Sequence, residues 1–296
     1  MRKSKFKTDA ARKFTEEWVD SFIDQSSLIY EKLDVETSFG KTRILCVDHE
    51  KKDLKPIMFV PGARTCGMFW DINDNLKILG NKYRIYLVDV VGQPGLSDGN
   101  CPNLKDESYG NWLNEVCEGI GFDRGAFVGA SFGGLLIFKL SGVAPEKIEK
   151  AVLMNPIGLS NISFHPKSMF NTLLPVFFPS RKNVDKFLKT IVFSETEHPD
   201  DERFSRLADY VENSIKGFQF KGEYPSKLND GEIVKLVAET HLLVGDSDGL
   251  IPYKNTIGRG ERLLRNLKSV DVFKNVGHGI EVSEKAIVRL KEILEN

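Results

Sequence analysis

Ala126-Phe127-Val128-Gly129-Ala130-Ser131-Phe132-Gly133-Gly134-Leu135-Leu136-Ile137 decides how the rest of the chain is read. Ala126 to Val128 is short and apolar, as a buried parallel strand should be. Leu135 to Leu140 continues as the core face of a helix. Between them, Gly129-x-Ser131-x-Gly133 matches the nucleophile-elbow pattern, in which a serine projects above a sheet from a strained strand-to-helix turn. Glycine is expected two residues either side, because a Cβ there would strike neighbouring backbone. The amide of Phe132, at the helix start, is then free to bind an anion.

The 296 residues suit one large α/β domain with an insertion, or two small domains. A hydrophobic content of 41% and a charged content of 28% are ordinary for a globular chain. The formal net charge of −1 gives no pointer to nucleic acid or to an anionic membrane as partner. The basic start runs into an amphipathic stretch, and no apolar run is long enough to span a bilayer, so a cytoplasmic protein without stable membrane insertion is expected. Cys46, Cys66, Cys101 and Cys117 are scattered, with no metal-ligand spacing; reduced thiols and no metal site are the expectation.

Outward from the elbow, strand-like and helix-like runs alternate. Residues 8–33 read as a helix on the spacing of Phe14, Trp18 and Phe22, followed by strands at 35–39 and 42–47 around Phe39-Gly40-Lys41. Further strands are expected at 56–60, 84–89, 126–128, 151–154, 241–244 and 270–273. Helices are expected at 68–80, 108–120, 253–268 and from about 282. From 158 to 230 the alternation stops, and a helical pattern broken by prolines takes over. Nine of the chain's 20 phenylalanines fall here: Phe164, Phe170, Phe177, Phe178, Phe187, Phe193, Phe204, Phe218 and Phe220. They either line a lid over an apolar pocket or pack on one another. The division expected is therefore an N-terminal helical segment (1–34), an α/β core (35–157 and 231–296) and a helical cap (158–230).

Alternating strands and helices imply a mostly parallel sheet covered on both faces, with active groups beyond the carboxyl ends of the strands. A serine hydroxyl needs an adjacent base. Of five histidines, His278 stands directly after the last strand, in Val276-Gly277-His278-Gly279; His49, His165, His198 and His241 lie in a turn, the insertion or a strand start. An imidazole acting as base needs an acid to fix its tautomer. Asp246 and Asp248 both follow the strand ending at Val244. An oxyanion needs two amides: Phe132 offers one, and Ala63, in Pro61-Gly62-Ala63 after the strand 56–60, offers the other.

These motifs together resemble the α/β-hydrolase fold, in its lidded carboxylesterase type. The likeness is carried by Pro61-Gly62-Ala63, Asp89 through Gly92-Gln93-Pro94-Gly95-Leu96-Ser97, the elbow at Ser131, Gly245 to Pro252, and Gly277-His278 with Glu281 beyond it. It implies that Asp248 is the acid, in the order Ser131, Asp248, His278. A carboxylic ester and no metal or organic cofactor are expected, and a Phe-rich lid that buries hydrocarbon would make that ester small to medium and apolar. The same triad also serves C–C bond, thioester, lactone and amide hydrolysis, and a binding or sensor protein on this fold is the other alternative. One departure stands out: the family usually carries His-Gly before the oxyanion residue, and here Pro61-Gly62 stands there.

Overall fold

Strand pairs built from alternating, doubly buried side chains form the centre of the molecule. The computed structural model describes residues 2–3, 5–162, 166–193 and 199–296. Eight strands make one sheet: β1 (Glu31–Thr37), β2 (Gly40–Val47), β3 (Lys55–Val60), β4 (Tyr83–Val88), β5 (Gly125–Ala130), β6 (Ile148–Met154), β7 (Glu239–Gly245) and β8 (Leu267–Phe273). Their spatial order is β8-β7-β6-β5-β3-β4-β2-β1. β1–β2 and β2–β4 are antiparallel and every other pairing is parallel.

Each central strand feeds two cores. Ile57 and Phe59 of β3 join one cluster with Trp70, Ile287 and Leu290, while Met58 and Val60 join another with Trp112, Val116 and Leu136. This period of two, with both faces apolar, is what a sheet covered by helices on both sides requires. On one face lie α2 (Ser108–Gly119), α3 (Phe132–Ser141) and, further along, α8 (Tyr253–Leu263). On the other lie α1 (Asp9–Ile23) and α9 (Glu284–Glu295). Among the described residues no helix is long and apolar enough to cross a membrane.

Between β6 and β7 the chain forms α4 (Pro166–Phe177), α5 (Arg181–Phe187), a π turn at Leu188–Val192, α6 (Asp201–Gly217) and the short α7 (Asp230–Ile233). α6 is tied to α1: Trp18 Nε1 donates to Arg206 O at 2.8 Å, and the Trp18 ring packs 4.6 Å from Tyr210.

Several boundaries differ from the sequence expectation, among them the helix expected at 253–268, which ends at Leu263 because Leu267 already begins the edge strand β8. The first helix ends at Ile23, not near 33. After Asp24 the i, i+4 apolar spacing gives way to Glu31-Lys32-Leu33-Asp34-Val35, which alternates and pairs as the edge strand β1. Thus residues 1–34 are not helical throughout; Arg2–Lys3 and Lys5–Phe6 also form short strand pairs. The stretch 68–80 is two 3-10 turns, Gly67–Asp71 and Asn75–Leu79, because Asp74 adopts a left-handed conformation and Asp71 Oδ1 accepts the Leu76 N–H at 2.8 Å.

Candidate active site

The elbow is forced by close packing. Ser131 has φ 50° and ψ −110°, a strained conformation for any non-glycine residue. A Cβ on Gly129 would lie 2.6 Å from the Gly133 carbonyl carbon, and one on Gly133 would lie 2.0 Å from Val60 O. Backbone bonds hold the turn: Ser131 N donates to Met154 O at 2.9 Å, and Ile157 N donates to Ser131 O at 2.9 Å. The strain is therefore carried by a turn stitched to β6 and packed on β3.

The ring of His278 bridges the other two groups. Its Nε2 lies 2.8 Å from Ser131 Oγ and its Nδ1 lies 2.8 Å from Asp248 Oδ2. With a neutral ring, the Nδ1–H donates to Asp248 and Nε2 accepts from the serine. Asp248 is fully buried, and its Oδ1 accepts the Leu250 and Ile251 amides at 2.7 and 2.9 Å. Asp246 points elsewhere, accepting the Asn275 amide at 2.8 Å and the Ser247 hydroxyl at 2.9 Å. Of the two aspartates, Asp248 alone meets the histidine. Burial by itself would lower the His278 pKa; the Asp248 charge, its hydrogen bond and the Glu281 charge outweigh that and leave it raised. The Glu281 carboxyl is itself pushed up, chiefly by burial, and its Oε2 has no hydrogen-bond partner among the described residues.

Ala63 follows the loop that passes Ser131, and Phe132 is the residue directly after it. A Cβ on Gly62 would sit 3.6 Å from Ser131 Cβ, so the Pro61–Ala63 loop runs beside the serine side chain. Among the described residues neither the Ala63 nor the Phe132 N–H has a protein acceptor. The Tyr109 ring meets the Phe132 ring edge-on at 5.5 Å. The next amide along, Arg64 N, donates to the buried Gln93 side chain at 2.8 Å, with Arg64 itself at φ 63°. Gln93 thus fastens the loop in which histidine is replaced by Pro61.

One supporting residue, Asn155, went unnoticed in the sequence, and another, Asp89, was marked without a role. Asn155, directly after β6 and at φ 42°, donates to Gly277 O at 2.9 Å and His278 O at 3.2 Å, and accepts the Gly245 amide at 2.9 Å. Its position after a strand was the available signal. Asp89, after β4, is buried and accepts the Gly67 amide at 2.6 Å, fixing the loops on either side of β3 and β4. The insertion also reaches the site: His278 N donates to Ile191 O at 3.2 Å and Gly279 N to Val192 O at 2.7 Å. Of the other histidines, His49 meets Tyr86 and His241 meets Glu239 and Ser269, away from Ser131; His165 and His198 lie outside the described residues.

The sequence profile of the family described as "alpha/beta hydrolase fold" matches residues 55–280, most of the chain. The chain belongs to that family. Two relatives of this α/β-hydrolase come from Bacillus subtilis (strain 168). The uncharacterized carboxylesterase nap is 22% identical over 86% of this chain and 82% of its own length. Carboxylesterase YbfK is also 22% identical, over 86% of this chain and 83% of its own length. The crystal structure of naproxen esterase from the same organism superposes with a TM-score of 0.80 at 20% identity, covering 97% of this chain and 98% of that one. At that identity the superposition establishes a shared fold.

The phenylalanines of the insertion do not share one surface. Phe193, Phe204 and Phe218 are buried, Phe187 and Phe220 half-buried, and Phe170, Phe177 and Phe178 exposed; Phe164 lies outside the described residues. Phe177 and Phe178, at 70% and 68% exposure, do not line an enclosed pocket.

Proposed function

We propose that the protein is a serine hydrolase that cleaves carboxylic esters, with residues 158–230 as a cap on an α/β core formed by 35–157 and 231–296. The observation that carries this is the unbroken chain of contacts from Ser131 Oγ through the His278 ring to Asp248, each step 2.8 Å. The two relatives named as carboxylesterases support the ester as the bond attacked.

In this mechanism Ser131 Oγ attacks the ester carbonyl as His278 Nε2 takes its proton. Asp248 keeps the proton of Nδ1 in place and stabilises the imidazolium. The Ala63 and Phe132 amides receive the developing oxyanion. His278 then returns the proton to the leaving alcohol, giving an acyl-Ser131. A water, activated by the same ring, hydrolyses that intermediate and regenerates the serine.

The cap's role in substrate choice is argued from Ile191 and Phe193, which are buried beside the His278 loop, and not from Phe177 or Phe178. An apolar acyl group placed there should raise efficiency with chain length, by at most about 0.8 kcal/mol per methylene. Fluorophosphonate labelling and turnover of p-nitrophenyl esters from acetyl to hexanoyl test the proposal together. Labelling of the wild type, abolished in Ser131→Ala while the melting temperature is kept, is the expected result. An unlabelled wild type would point to a binding protein on this fold. Labelling and thioester, lactone or C–C cleavage without ester turnover would replace the ester and keep the nucleophile.

A further inference from the structure

α4 is turned inside out. A helix on a protein surface directs its apolar stripe at the core. Here Met169, Phe170, Leu173, Val176 and Phe177, spaced i, i+1, i+4, i+7 and i+8, are exposed, and Phe178, just past the helix end, is exposed as well. The inward or half-buried positions are Ser168, Asn171, Thr172, Leu174 and Pro175, of which only Leu174 is a large aliphatic residue, and Asn171 Nδ2 donates to Thr190 Oγ1 at 3.2 Å. Five large apolar side chains along one exposed face, with a sixth at its end, exceed the isolated examples normal on a protein surface.

Lys186 borders the same row, and cations are frequent in the segments around it, though Lys189 Nζ lies over the Phe204 ring of α6 at 5.4 Å. Residues 166–193 contain Lys167, Arg181, Lys182, Lys186 and Lys189 against a single acid, Asp185, in a chain of net charge −1. Asp185 is already paired with Arg181 at 2.8 Å. Lys182, Lys186 and Lys189 are exposed, and among the described residues none has a carboxylate partner. Lys186 Nζ lies 5.5 Å from the centre of the Phe170 ring, so cation and aromatic occupy one surface.

We infer that this face, formed by α4, Phe178 and the lysines of α5 and the following π turn, docks the protein on an anionic phospholipid bilayer. Aromatic and aliphatic side chains fit the boundary between headgroups and acyl chains, and lysines beside them meet lipid phosphates. A second copy of this chain suits the surface poorly, because two such faces would bring like charges together. With 12 residues, α4 lies on the membrane and does not span it. Docking in this way sets the site beside the lipid: Ser168, on the inward side of α4, has its Oγ 3.6 Å from where a Cβ on Gly249 would sit, next to Asp248.

The test is sedimentation of the full chain with vesicles of ether-linked phosphatidylglycerol, compared with ether-linked phosphatidylcholine, so that binding is read without hydrolysis. Binding to the anionic vesicles, weakened as salt is raised, is expected. Phe177→Ser with Phe178→Ser should reduce partitioning by about tenfold or more. Lys182→Gln, Lys186→Gln and Lys189→Gln together should reduce it by about a hundredfold at low salt. Both variants should keep wild-type turnover of a soluble short-chain ester, which also reports that they fold. Absence of binding to anionic vesicles, or binding that neither variant weakens, overturns the inference. Self-association of the wild type that Phe177→Ser with Phe178→Ser abolishes, without vesicle binding, would overturn it too and assign the face to a second copy.

Discussion

Asn155 holds His278 from behind: its side-chain amide donates to the carbonyls of Gly277 and His278 while its own carbonyl accepts the Gly245 amide. One side chain thereby joins the ends of β6 and β7 to the loop of the proposed base. Asn155→Gly removes those bonds without backbone strain, since glycine accepts the φ of 42°. The variant should lose about tenfold or more in kcat with little change in KM, and about 1–3 kcal/mol in stability. Asn155→Ala should be less stable than Asn155→Gly by about 1 kcal/mol, as left-handed strain is added. Equal kcat in wild type and Asn155→Gly would show that the loop holds its position unaided.

The two aspartates should separate by orders of magnitude. Asp248→Asn leaves the amide bonds to Leu250 and Ile251 possible but disturbs the tautomer of His278, and kcat should fall by about 10³ or more. Asp246→Asn keeps an acceptor for Asn275 and should stay within about threefold of wild type. Steady-state kinetics on one p-nitrophenyl ester decides; the reverse ranking would move the acid to Asp246.

Gln93 is expected to do the positioning that a histidine does elsewhere in the family. Gln93→Leu leaves the Arg64 N–H without its acceptor and frees the loop that carries Ala63. Loss of an oxyanion donor's alignment should lower kcat by about 10–100-fold while KM changes little. Fluorophosphonate labelling should slow in parallel. A variant altered only in melting temperature would make Gln93 structural.

The pH profile follows from the sign of the His278 shift. The ring must be neutral to accept the serine proton, so kcat/KM should rise with pH through its pKa. That pKa lies above the usual histidine value because Asp248 and Glu281 together outweigh burial. In Glu281→Gln one of the carboxylates raising it is gone, and the acid limb should move to lower pH with activity retained. An unmoved or upward-shifted limb would show that Glu281 exerts no field on the ring in the working enzyme.

What was legible in the sequence follows from how tightly each feature is constrained. Gly129 and Gly133 could be read because any Cβ there meets backbone within 2.6 Å or less. That Ser131, Asp248 and His278 come together could be expected because the carboxyl ends of strands are where such groups gather. Asn155 occupies the same kind of position, yet an asparagine after a strand is also an ordinary turn former, and only its three partners distinguish it. Helix ends were blurred where one or two turns decide: Asp74 at a left-handed φ splits a stretch whose apolar spacing fits a continuous helix. The phenylalanine count in 158–230 marked the insertion but not which way its helices face. An amphipathic helix has the same period whether its stripe faces in or out, and α4 faces out. The net charge of −1, likewise, averages over a cationic patch and an acidic remainder.

The backbone bonds from His278 and Gly279 to the carbonyls of Ile191 and Val192 bear on how this protein can be recombined with its relatives. Exchange of the entire insertion would remove two carbonyls on which the histidine loop rests. Gly277 has no room for a side chain against Val192 O and Phe193 O, so the two segments are also fitted sterically. A chimaera with its crossover before Leu188 would import a foreign α4 and α5, and with them a new outer face, while inheriting the native support of the imidazole. The seam between interchangeable and fixed parts therefore runs inside the insertion, about fifty residues before the sheet resumes at Glu239.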